Sequence, residues 1–208
     1  MKRDLINWLC LSGVICVLFY FAHDIIGAMA YPGYNWMSQA VSDLTACDSP
    51  SYIISNGYVT IYSILSSICC VLVSILVKNE NKILKIGIYL FTIMNFISSM
   101  GYALFPLTHA GYDFTIQSFI HVYIITSSVV LLSVISLIFI IYGSLKNNSH
   151  KILGILALLT LIMMFLGAVG SGVVSHELFG VAERFSTYSA VVFTAILGLF
   201  GFKIDNNM

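Results

Sequence analysis

The sequence predicts an all-α, polytopic membrane protein: a six-transmembrane-helix bundle with both termini in the cytoplasm. Three observations predict it. Only 9% of the 208 residues are charged while 59% are hydrophobic, and the mean hydropathy is +0.97. A soluble domain carries about 25% charged residues, and its surface must still be covered by something polar. Apolar stretches long enough to cross a hydrocarbon core of about 30 Å, a length of about 20 residues, occur six times. When the chain is read as alternating spans and turns, all seven lysines fall on one side and four of the five histidines on the other.

The elements follow in order. The first span is expected at residues 5–30. Its basic start and Ala28-Met29-Ala30 imitate a signal peptide, but the apolar run from Leu5 to Ala22 exceeds the usual length of about 7–15 residues, so a retained span is expected. A loop dense in polar and aromatic residues covers 31–51, and the second span, 52–77, follows Pro50, which suits a helix start. Residues 78–82 make a short basic turn, and the third span, 83–105, stops at Pro106. Residues 107–115 form a second polar loop, the fourth span covers 116–145, and 146–151 form a second basic turn. The fifth span is expected at 152–174, a third polar loop at 175–183 and the sixth span at 184–202. Lipid offers no hydrogen bonds, so each span must be a helix. Short turns make consecutive helices antiparallel, and residues 1–208 are expected to form a single six-span domain.

Charge sets the orientation. Lys2, Arg3, Lys78, Lys82, Lys85, Lys146, Lys151 and Lys203 lie on one side, against Arg184 alone on the other. Lys and Arg in short loops mark the cytoplasmic face, so the chain is expected in the cell membrane with its histidine-rich end outside. That outer end also holds Asp24, Asp43, Asp48, Asp113, Glu177 and Glu183. Membrane lipids are the expected partners, and no nucleic acid is expected. The five cysteines make no disulfide framework: Cys10, Cys16, Cys69 and Cys70 lie within spans and only Cys47 lies in an outer loop. Gly167-Ala168-Val169-Gly170-Ser171-Gly172 reads as a seam for close helix packing, since it lacks the lysine and strand context of a phosphate loop. Tyr31, Tyr34, Trp36, Tyr52, Tyr58, Tyr102, Tyr112 and Tyr123 cluster at the outer boundary, where amphipathic rings anchor.

The outer polar groups are where chemistry is to be sought. In residues 35–46, Trp36, Met37, Ala40, Val41 and Leu44 recur at helical spacing, opposite a stripe of Ser38, Ser42, Gln39 and Asp43. The pattern predicts a short helix lying in the outer interface. His23 and Asp24 are adjacent within apolar flanks, and one regular helix face can turn only one of them inward. Ionisable groups in a span tend to face the bundle interior, which also applies to His121 in the fourth span. Arg184 is expected to pair with one of the six outer acids.

Asp43, His121, Glu183 and Arg184, with His23 and Asp24, are expected to converge at an outward-facing pocket; with Ser38 they are its candidate ligand-binding residues. Three functions compete with a purely structural role, in which these groups satisfy one another. One is binding of a small polar or lipidic ligand. A second is a metal site, zinc above all, from His23, Asp24, His121 and His176, although no local metal-binding spacing is present. A third is hydrolytic chemistry by Ser42 or Ser38 with Asp43 and His121, which only geometry can establish. The inner halves of the spans hold almost no ionisable residue, which argues against a transport path.

Tyr31-Pro32-Gly33-Tyr34, then Ser38 and Ser42-Asp43-Leu44, then Phe105-Pro106 and His121, and finally Gly180 with Glu183-Arg184 form an ordered set across nearly the whole chain. On these motifs the chain resembles the six-span bacterial and archaeal membrane family catalogued as domain of unknown function number 998. The resemblance implies a six-helix bundle with its polar motifs on one face, and supplies no substrate. The polar inventory is more faintly similar to that of the alkaline ceramidase-related membrane hydrolases. Those hold zinc with histidines, an aspartate and a serine in a seven-helix bundle. This chain has six spans and lacks their late histidine pair, so the likeness only motivates the alternative of a metal-dependent, lipid-modifying enzyme.

Overall fold

The computed structural model describes residues 3–146 and 150–204. Lys2, counted above among the charges, and residues 147–149 of the second basic turn lie outside the described residues. Six helical stretches are long and apolar enough to cross a membrane: Leu5–Ala30, Tyr52–Asn79, Lys82–Leu104, Ile116–Leu145, Lys151–Val173 and His176–Lys203. The first five agree with the expected spans to within two residues. The sixth begins at His176 instead of 184, so Glu183 and Arg184 lie inside it. A charged pair in a span is costly and reads as a boundary. Here the loop at residues 31–51 supplies partners to both side chains, and the helix continues through them.

Local chemistry sets the helix ends. Asp4 and Asn7 form a capping box at α1 (Leu5–Leu9), and Asn7 Nδ2 donates to the carbonyls of Gly201, at 2.8 Å, and Ile204, at 3.0 Å. This ties the start of the first span to the end of the last. After a turn at Cys10, α2 (Ser12–Ala30) completes the first span, followed by α3 (Tyr52–Leu76). Asn81 caps α4 (Lys82–Leu104) by accepting from Leu84 N at 3.0 Å, and its amide donates to Gly143 O at 3.0 Å. The fourth span has three parts: α5 (Ile116–Phe119), a π-helical turn (Ile120–Thr126) and α6 (Ser127–Leu145). Then come α7 (Lys151–Val173) and α8 (Phe179–Lys203).

The helices close a ring. Each packs on its chain neighbour, α8 returns to α2, and α3 also touches α8 across the middle. Apolar side chains gain little by leaving lipid, so close packing must hold such helices together. Gly143 shows how close it is: a Cβ there would stand 2.5 Å from Leu84 N, so α4 and α6 meet backbone to backbone. Gly167 and Gly170 pack likewise against Ala182 of α8, whereas Gly172 meets nothing, so the small-residue seam is shorter than its sequence pattern. The main apolar core runs through Cys69, Val73, Ile88, Phe91, Ile140, Phe193 and Leu197. It fills the half of the bundle nearer the basic turns. All five cysteines are free, four of them buried.

The opposite end, here the histidine end, is covered by residues 31–51. They do not form the expected interfacial helix. Gln39 N donates to Asn35 O at 2.9 Å and closes a turn, Ala40 is extended, and a short 3-10 helix follows at Val41–Thr45. The extended Ala40 splits the periodic run, and Tyr34 fixes it there by donating its hydroxyl to Ala40 O at 2.7 Å. Trp36 and Met37 stay exposed, while Val41, Asp43 and Leu44 are buried. One edge of this segment rests on α8: Val181 N donates to Met37 O at 3.2 Å and Val41 N to Glu183 Oε2 at 3.2 Å. The other rests on the second polar loop: Cys47 N donates to Leu107 O at 2.8 Å, and Gly111 N to Asp43 Oδ1 at 2.8 Å. The segment is therefore a roof.

Candidate functional site

Two adjacent residues of α2 begin the site. His23 is 2% exposed and Asp24 6% exposed, so both are buried, contrary to the expectation that only one could turn inward. The reason is packing: α2 lies between α3 and α8, so two of its faces meet protein. Asp24 takes the α8 face. Its two oxygens accept from Arg184 Nη2 at 2.7 Å and Nε at 2.8 Å, and Tyr188 donates its hydroxyl to Oδ2. Arg184 has found its acid, and the pair is bidentate, the stronger geometry.

The guanidinium does more than pair. Nη1 donates to the carbonyls of Trp36 at 2.8 Å, Gln39 at 3.0 Å and Gly180 at 3.1 Å, and Nη2 donates to Tyr34 Oη at 2.8 Å. Every N–H group of the fork is used. Arg184 thus pins the roof to the bundle and has no donor left for an incoming anion. Gly180 makes this possible, because a Cβ there would stand 2.5 Å from Trp36 O.

Glu183 and Asp43 flank this network. Glu183 accepts from Val41 N and, at 3.2 Å, from the Thr187 hydroxyl. It also lies within electrostatic reach of Tyr20 and Tyr102. Asp43 is 5% exposed and accepts from Gly111 N and, at 3.2 Å, from Ala40 N. Burial pushes its carboxyl above the ordinary value, against the pull of those two N–H groups and of Arg184. Ser38 is half-buried, with its hydroxyl 3.5 Å from Asn35 O. Ser42 is half-buried, and its carbonyl accepts from Thr45.

The histidines are dispersed. Both ring nitrogens of His23 are sealed and without a partner, its ring against Tyr20 at 5.4 Å. His109 pairs with Asp48 at 2.8 Å on the surface. Its hydrogen bond to Asp48 raises its pKa and lowers that of Asp48. His121, in the π-helical turn of the fourth span, has its Nδ1 2.7 Å from Phe105 O at the end of α4, and among the described residues no hydrogen bond joins it to the Arg184 network. His176 and Glu177 are exposed. The structure therefore ties Arg184, with Asp24 paired to it, Glu183 and Asp43 by hydrogen bonds to the roof, and among the described residues none of these bonds reaches His121 or His176. Among the described residues, no group of three or more His, Cys, Asp or Glu could hold a metal ion. Among the described residues, no hydrogen bond links Ser42, Asp43 and a histidine.

One cavity borders the network. An open groove of about 550 Å³ lies between α2, α7 and α8, with Phe21, Leu159 and Ile196 along it and Trp36, Arg184 and Tyr188 at its polar end. From Val181 to Ile196 it follows α8 for about 22 Å, at about 1.5 Å per residue.

A protein-family model described as "Protein of unknown function (DUF998)" matches residues 14–199. The chain belongs to this family. No curated protein and no solved structure matches it. The DUF998 match runs from α2 into α8 and takes in the whole Arg184 network and the roof. Motif residues of this DUF998 chain have physical roles: Tyr34 and Arg184 bond each other, Asp43 ties the two polar loops, and Gly180 admits the roof. Sequence reasoning did not find Tyr188 or the carbonyls of Trp36 and Gln39. Tyr188 lies four residues after Arg184, one helical turn away, and that spacing was the available signal.

Proposed function

We propose that this DUF998 protein is a multi-pass protein of the cell membrane, its termini cytoplasmic, whose histidine end faces outward and binds one lipid of the outer leaflet. The lipid chain lies in the groove between α2, α7 and α8, and its head sits beside Trp36 at the edge of the roof. The groove carries this reading. Its length of about 22 Å exceeds the depth of one leaflet, about half of a hydrocarbon core of about 30 Å, so it can take a whole lipid chain, and its polar end is the end rich in aromatic anchors. Arg184 is saturated by Asp24, Tyr34 and three carbonyls, so the lipid is selected by its chain and not by an ion pair. The Arg184 network positions the roof that closes the polar end of the groove.

Native mass spectrometry in a mild detergent tests this. The wild-type protein should retain one lipid per chain after washing. Ser189→Trp, which fills the groove wall, should lose it while staying folded. Equal retention by the two proteins would overturn the reading.

A further inference from the structure

His121 is held by a set of hydrogen bonds that fixes its ring and its tautomer. Its Nδ1 lies 2.7 Å from Phe105 O. A carbonyl only accepts, so Nδ1 carries the proton and neutral His121 leaves a bare lone pair on Nε2. Phe105 O is available because α4 ends there, ahead of Pro106. The ring is 4.7 Å from that of Tyr102. The Tyr102 hydroxyl bonds the Thr126 hydroxyl at 3.1 Å, and Thr126 donates to His121 O at 2.9 Å. This last bond spans the π-helical turn Ile120–Thr126, a deviation that often marks functional sites. The residue is 5% exposed. Its Nε2 has no partner among the described residues, yet it is not sealed as the nitrogens of His23 are.

We propose that His121 Nε2 is the hydrogen-bond acceptor of a second ligand site, separate from the groove, that takes the hydroxyl of a neutral alcohol. The lone pair repels an anion. A cation would need several ligands, and among the described residues no group of three or more His, Cys, Asp or Glu could hold a metal ion. A neutral donor remains. The hydroxyl could belong to a free polyol or to a neutral lipid head, and the test separates the two.

The test has two steps, both on the full-length protein in micelles. First, ¹⁵N NMR of histidine-labelled protein, with His121 assigned by comparison with His121→Gln, should show Nδ1 protonated and Nε2 bare at neutral pH. The opposite tautomer would overturn the proposal. Second, diethylpyrocarbonate, which acylates unprotonated imidazole, is added and the adducts are mapped by mass spectrometry. His121 should react and His23 should not. Free glycerol or glycerol monooleate should then slow the His121 reaction about fivefold once its concentration reaches about four times the dissociation constant. Protection by glycerol identifies a soluble polyol site, and protection by the monooleate alone identifies a lipid head. Protection by neither overturns the proposal. Because the groove lies on the α2, α7 and α8 side, loss of lipid from Ser189→Trp leaves this outcome unchanged.

Discussion

Replacing Arg184 by leucine should damage this protein more than any change at an exposed charge. The side chains of Arg184 and Asp24 are only 6% and 8% exposed, and they meet at 2.7 Å. Removing one partner of a buried pair costs about 3–5 kcal/mol, because the other charge is left without compensation. Arg184→Leu strands Asp24 with Tyr188 as its remaining donor, and it takes the Nη1 donor away from Trp36 O and Gln39 O. For a chain of this size 1 kcal/mol moves the unfolding midpoint by about 2–4 °C, so the expected fall is about 6–20 °C. The double variant Asp24→Leu with Arg184→Leu removes both charges and should be more stable than Arg184→Leu alone. Thermal unfolding of the wild type, both single variants and the double variant in one detergent gives the coupling directly. Additive losses, or an Arg184→Leu midpoint within about 2 °C of wild type, would refute the reasoning.

Three further outcomes are expected. Cys47 is the one exposed cysteine among the five, so a membrane-impermeant maleimide applied to intact cells should label it; labelling only after lysis would reverse the proposed orientation. Gly180→Val should detach the roof, because its Cβ would meet the backbone of Trp36 and Gln39, and proteolysis within residues 35–46 should speed up while the bundle stays helical by circular dichroism. The His109–Asp48 bond should depend on pH with a definite sign. The raised His109 value makes its contribution complete below the ordinary imidazole value of about 6.5 and lost as pH rises through the folded value, and the lowered Asp48 value makes its contribution vanish only in stronger acid. An NMR titration should therefore place His109 above 6.5, and Asp48→Asn should return it there; an unchanged midpoint in the variant would contradict the pairing.

The fold was largely legible because lipid imposes a simple rule. Apolar length and lysine placement locate five spans to within two residues. The sixth was missed at its start for a physical reason: a Glu183-Arg184 pair looks like a boundary unless its partners are known, and those partners include the Trp36 and Gln39 carbonyls and the Val41 N–H of a loop some 145 residues earlier. Backbone acceptors carry no mark in a sequence. The same limit hid the bond from His121 to Phe105 O, although Pro106 did mark the end of the helix that frees this carbonyl. Periodicity misled in residues 35–46, where helical spacing was present but the extended Ala40 interrupts the helix. Six outer acids were candidates for Arg184, and the packing of α2 against α8, not proximity in sequence, chose Asp24.

A lipid carrying a diazirine in its acyl chain would report on the groove most directly. After illumination in the membrane and peptide mapping, adducts should concentrate on Leu156, Leu159, Met163, Val192 and Ile196, which line the groove. Adducts spread evenly over other exposed apolar residues, such as Ile53, Ile64, Met100 and Phe165, would mean that the groove holds no lipid of its own.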